Sequence, residues 1–242
     1  MLKTMITAAA LSALTLSSTL AQSQQTGPET AAKQITSPTP RKVADRNAML
    51  TDAASIHEDL IGFALDGKAD KVAELVAATR KALPTLRPLL DATAFETLGR
   101  QLMEMEHASS KNDTLGTALA AVEAYRVLET AMDTRSRPAP IEVAMLDYSG
   151  FKLSVLAAMQ GTDWAAIATT ASASDGSWST LNTSVKDASI RNLVGAIQEG
   201  LGAAVARKDI QGVKFAAKMQ LEVVDVLEGY FQRSPKSGGN VH

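Results

Sequence analysis

The residues best suited to chemistry form a Glu-x-x-His pair in the segment LMEMEH. Glu104 and His107 are three residues apart, a spacing that puts both side chains on one face of a helix. Met103 precedes His107 by one helical turn, and a thioether beside an imidazole suits copper. His57 and Glu58, in the segment SIHEDL, would add two ligands if their helix packs beside that of Glu104. In di-iron bundles such a pair recurs on two helices, whereas this chain has one copy.

A second group consists of charged residues embedded in apolar runs. Asp225 follows Leu221 by one helical turn, which predicts that it borders the core. A buried carboxylate needs a partner, and Arg126 is the best chemical match because a guanidinium can hold it bidentately. An ion pair of these two residues between helices is one interpretation.

The alternative is an internal site for an anionic ligand. Arg126 and Lys152 would then be its positive contacts. Its apolar walls would be Tyr148, Phe151, Trp164 and Trp178. Asp147 and Asp225 belong to the same group of embedded polar residues.

Several function classes lack their signatures in this chain. The 242 residues contain no cysteine, which excludes thiol nucleophiles, cysteine zinc sites and covalent c-type haem. No GxSxG, HExxH, GxGxxG or GxxxxGK[ST] motif occurs. The formal charge of −2 disfavours nucleic-acid binding, which normally needs a basic face. We therefore expect a protein that is not an enzyme.

The first segment is typical of an export signal. Residues 1–21 combine Lys3, an apolar stretch and the small residues Thr19 and Ala21 before a cleavage site. The apolar stretch is shorter than the roughly 20 residues of a membrane span. We expect a periplasmic or secreted protein without a membrane anchor. A disordered leader over 22–40 and a flexible tail over 234–242 are predicted from composition.

The remaining chain predicts an all-α fold, an antiparallel bundle of about eight helices. Apolar residues recur at three- and four-residue steps, and no segment alternates as a strand would. The linker TRSRPAP separates residues 41–136 from 137–233, which suggests two tandem four-helix bundles. Pro84 and Pro88 are expected to interrupt the helix before them. The segment SASDGS is expected to separate a short sixth helix from a long seventh.

The segment Leu193–Phe231 resembles the closing hairpin of small soluble periplasmic cytochrome b- and c′-like four-helix bundles. The resemblance implies a periplasmic bundle architecture. Those families hold haem through a His near the end of the last helix, a residue type that this last helix lacks.

These observations favour an exported helical-bundle binding or accessory protein, with an interhelical pocket or helix face for a small ligand or envelope protein. A homodimer would be compatible with this function. The alternative is a periplasmic iron- or copper-binding bundle for metal storage, sensing or redox chemistry.

Overall fold

The computed structural model describes residues 40–233, and over this range the chain forms eight α-helices and two short 3₁₀ turns without a strand. The all-α prediction is therefore confirmed for the described range. The predicted signal peptide, the leader up to residue 39 and the tail lie outside the described residues. The helices are α1 (Pro40–Leu65), α2 (Ala69–Leu86), α3 (Ala92–Ser110), α4 (Thr114–Ala131), α5 (Ile141–Ala158), α6 (Trp164–Leu181), α7 (Ala188–Ala206) and α8 (Ile210–Arg233).

Aspartate side chains fix where most of the later helices begin. Each accepts a hydrogen bond from backbone N–H groups of the first turn, groups that have no partner within the helix. The capping residues of α3, α4, α6, α7 and α8 are, in that order, Asp91, Asp113, Asp163, Asp187 and Asp209. Such capping typically contributes about 1 kcal/mol per helix.

Two helix boundaries differ from the sequence-based expectation. Helix α2 continues through Pro84 to Leu86, and the interruption falls at the 3₁₀ turn Arg87–Leu89, which contains Pro88. The segment SASDGS lies inside α6, and the break between α6 and α7 comes at 182–187. A helix tolerates a short run of Ser and Ala with a single Gly, because these residues cost little helix stability. Helix α7 begins instead after Asp187, which caps it.

The helix contacts form two sets joined at one junction. Helices α1 to α4 pack as a ring in which α1 and α3 occupy opposite corners, each contacting α2 and α4. Helices α5 to α8 form the second ring, and α4 packs on α5 between the rings. The first ring buries one apolar cluster, which Val155 of α5 joins, and the second ring buries two. Gly150 allows α8 to approach α5 closely, because a Cβ there would lie 2.8 Å from Leu221 Cδ2.

Buried polar contacts hold the connection between α4 and α5. Asn47 of α1 donates to the Asp133 carbonyl at 2.9 Å and to the Ser136 hydroxyl at 2.8 Å. Arg137 and Glu129 form a buried ion pair at 2.5 Å. The linker that composition marked as irregular is thus tied to α1 and to the end of α4.

No helix in the described part of the chain combines the length and apolar character that crossing a membrane requires.

Candidate functional site

The residues of the predicted metal site occupy different environments. His57 is buried on α1, whereas Met103 is 61% exposed and His107 lies exposed in the last turn of α3. Glu58 is partly buried and Glu104 is exposed. Within residues 40–233, no group of three or more His, Asp or Glu side chains is placed to hold one metal ion. The physical reason is the ring order, because α1 and α3 do not lie side by side.

The two histidines also differ in their hydrogen bonding. His57 Nδ1 lies 2.9 Å from the carbonyl oxygen of Ala53, one turn earlier, and its buried Nε2 has no hydrogen-bond partner. Burial lowers the pKa of His57 to about 4, and the Ala53 hydrogen bond opposes this only in part. His107 Nε2 lies 2.8 Å from Lys111 Nζ at the protein surface.

Three of the residues predicted to bind an anion do come together, around a carboxylate that the sequence reasoning did not single out. Glu123 accepts hydrogen bonds from Lys152 at 2.7 Å, Tyr148 at 2.8 Å and Arg126 at 3.1 Å. Burial raises the pKa of Glu123, but the hydrogen bonds from Lys152 and Tyr148 outweigh it, so the pKa is lowered overall. Glu123 therefore already occupies the place between the two cations that an anionic ligand was expected to take.

The other two embedded carboxylates lie elsewhere. Asp147 is buried and accepts a hydrogen bond of 2.9 Å from the Tyr125 hydroxyl. Asp225 is exposed on α8, and the ion pair of Arg126 is with Glu123. The prediction that Asp225 borders the core was wrong, because the buried stripe of α8 follows Val223, Val224 and Leu227.

A groove between α6 and α7 offers a more suitable place for a ligand. Its volume is about 600 Å³, within the range of about 300–1,000 Å³ typical of small-molecule sites. Helical stripes from both helices line it. From α6 and its C-terminal cap these are Ala168, Ala171, Ser172, Asp175, Trp178, Ser179 and Asn182; from α7 they are Gly195, Gln198, Glu199, Leu201, Gly202 and Val205.

Small side chains explain why two neighbouring helices leave this space open. The wall on α6 is mostly alanine and serine, and Gly195 and Gly202 lie two turns apart on α7. A Cβ added at either glycine would meet nothing within 4 Å. The sequence thus creates the groove by omitting side chains that would otherwise fill it.

A buried polar layer fixes the inner side of the groove. Gln220 of α8 donates to the Leu146 carbonyl of α5 at 2.6 Å, and its Oε1 accepts from Gln198 Nε2 at 3.1 Å. The hydroxyl of Ser174 on α6 lies 2.9 Å from the same oxygen. Ser174 and Gln220 are fully buried, and Gln198 is 7% exposed. This layer joins all four helices of the second ring and holds Gln198, which lines the groove, in a fixed position.

Trp178 contributes an unused hydrogen-bond donor to the groove. The residue is 7% exposed, and its indole N–H has no acceptor among residues 40–233. Unlike Nε2 of His57, the indole nitrogen is not fully buried. An oxygen or nitrogen of a ligand in the groove can therefore reach it and accept its hydrogen bond.

Comparison of the chain with protein-family models, curated proteins and solved structures finds no match. The function is therefore inferred from the physical character of the groove.

Sequence reasoning found Trp178 as an aromatic residue but missed Asp175, Gln198 and Glu199. These residues come from two helices, and the residue spacing within one helix does not show which stripe faces its neighbour. The one signal in the sequence is the concentration of small residues in both segments, a composition that also suggests a break in the helix.

Proposed function

We propose that this chain is an exported, non-catalytic helical-bundle protein that binds a small ligand in the groove between α6 and α7. The observation that carries the proposal is the groove of about 600 Å³, whose walls combine small side chains, an aromatic ring and polar groups. Trp178 supplies an aromatic surface and an unmatched donor, and the buried layer beneath pre-organises Gln198. Sites of this mixed character, concave and largely formed before binding, are typical of ligand-binding proteins.

The lining favours binding over catalysis. Ser172 and Ser179 are the hydroxyl groups of the lining, and no histidine or lysine lies beside them among the described lining residues. A serine nucleophile needs such a base for activation. Export is supported by the N-terminal pattern of Lys3, an apolar stretch and a small-residue cleavage site.

Filling the groove tests the proposal. The variant Gly195→Leu/Gly202→Leu places two side chains in the open space, and Gly200→Leu is the matched control because Gly200 lies on α7 outside the lining. None of the three glycines has an atom within 4 Å of an added Cβ. Replacing glycine within a helix should raise stability by roughly 0.5–1 kcal/mol per site, so the variants should fold.

The measurement is the melting temperature across a library of small amines, carboxylic acids, sugars and peptides. We expect at least one compound to raise the melting temperature of the wild type and of Gly200→Leu, but not of the filled variant. If no compound stabilises the wild type, or if the filled variant responds equally, the proposal is refuted.

A further inference from the structure

The charges that line the groove are all negative. Asp175 is the only charged residue of α6, and Glu199 is the only acidic residue of α7. The one basic residue of α7, Arg191, donates to the carbonyls of Val185 and Lys186 at 2.7 and 2.9 Å and is not part of the lining. Within residues 40–233, the groove therefore receives one carboxylate from each wall and no cation.

Neither carboxylate is used inside the protein. Within residues 40–233, Asp175 and Glu199 have no ion-pair or hydrogen-bond partner for their side chains. This contrasts with Glu123, Glu129 and Asp133, whose carboxylates each contact a cation. Two unpaired charges of one sign along the walls of a concave site produce a negative potential that concentrates cations there.

Trp178 places a second requirement on the ligand. The indole N–H of Trp178 lacks an acceptor within the described part of the chain, and the ring is an apolar and polarisable surface of the kind on which organic cations bind. A metal ion would leave both features unused. An anion would meet the two carboxylates, and a neutral sugar would gain nothing from them.

Building on the proposed function, we propose that the ligand is a small organic cation, an ammonium compound that also carries an oxygen acceptor. Its positive charge lies beside Asp175 and Glu199, and its oxygen accepts from the Trp178 indole N–H. The alanines, glycines and Leu201 of the walls contact its carbon atoms.

Choline and its uncharged isostere 3,3-dimethylbutan-1-ol provide a matched pair of probes, because a carbon replaces the nitrogen without changing the shape. Ethanolamine is a second cation that carries an oxygen, and glutarate is the anionic probe. The protein is the full chain carrying Trp164→Phe, which leaves Trp178 as the only tryptophan. The indole N–H resonance of Trp178 in a proton–nitrogen correlation spectrum then reports on the groove at constant salt of about 0.15 M.

We expect choline and ethanolamine to shift this resonance saturably, and choline to bind at least about tenfold more tightly than its isostere. Asp175→Asn/Glu199→Gln should remove this preference while leaving the melting temperature unchanged, because both side chains are exposed.

The inference is overturned if the isostere binds as tightly as choline, if glutarate is preferred, or if neither cation shifts the resonance. Other compounds of the library could then still bind to the wild type and fail to bind to the filled variant. In that case the groove would be a binding site for another class of ligand. A library without any binder would refute the proposed function itself, so the two failures are distinguishable.

Discussion

The buried ring of His57 couples the stability of the fold to pH. Its pKa is lowered from the ordinary value of 6.5 to about 4, chiefly because burial disfavours the charged imidazolium. Between these values the unfolded chain binds the proton more readily than the folded protein does. Acidification through this window therefore favours unfolding, and the stability that the neutral ring provides is lost as the pH falls.

We expect the free energy of unfolding of the wild type to fall by up to about 3 kcal/mol more than that of His57→Asn between pH 7 and pH 4. Asparagine keeps a donor for the Ala53 carbonyl but has no group that titrates in this range. Urea unfolding at several pH values measures the difference.

The matched control is His107→Asn, which removes the exposed histidine of α3. Parallel pH profiles for the wild type and His57→Asn would show that the ring is not buried as a neutral base.

Single residues also show how far sequence reasoning reaches. It identified Arg126, Tyr148 and Lys152 as members of one polar site, and the structure places them together. It favoured Asp225 as the ion-pair partner of Arg126, whereas Glu123 takes that position and also pairs with Lys152. Neighbouring positions on a helix point about 100° apart, so a residue beside an apolar one can lie in the core or at the surface. Which of the two it does depends on the helix against which that face packs.

At the scale of the helices, the polar layer of the second ring is the feature that most constrains their arrangement. Ser174, Gln198 and Gln220 come from α6, α7 and α8, and the Leu146 carbonyl belongs to α5. Such a layer penalises any change of helix register, because a shift would leave buried polar atoms without partners.

Gln220→Leu tests this layer. The substitution removes the acceptor of Gln198 and Ser174 and the donor to Leu146, and we expect a loss of about 2–4 kcal/mol in the free energy of unfolding. Chemical denaturation followed by circular dichroism measures it, with Gln211→Leu on the exposed face of α8 as the control.

Coupling between the layer residues separates this effect from a general packing defect. In the Gln220→Leu background, Ser174→Ala should cost less than it does in the wild type, because one of the two acceptors of the Ser174 hydroxyl is already gone. Additive losses would contradict a connected layer.

The helices themselves were largely predictable, since apolar periodicity and aspartate caps are local signals. The α6–α7 region was not. Its surface is rich in Ala, Ser and Gly, a composition that fits a loop as well as a helix packed loosely on its neighbour. The small side chains that made the helix boundary hard to predict are also the ones that leave the groove open.

At the scale of the whole molecule, the two rings differ in what their polar residues do. In the first ring and at the junction, Glu123 and Glu129 are matched by cations of the protein itself. In the second ring, as far as the structure describes the chain, the groove carries two unpaired carboxylates and an unmatched indole donor. We interpret the first ring and the junction as a scaffold and the second ring as the part that binds.

The most direct test of this account is native mass spectrometry of the protein purified from the cells that produce it, under conditions that retain non-covalent ligands. We expect the wild type and Gly200→Leu to carry a small molecule that Gly195→Leu/Gly202→Leu has lost, because leucine side chains occupy its place. A small molecule retained equally by the filled variant, or carried by none of the three proteins, would contradict the account.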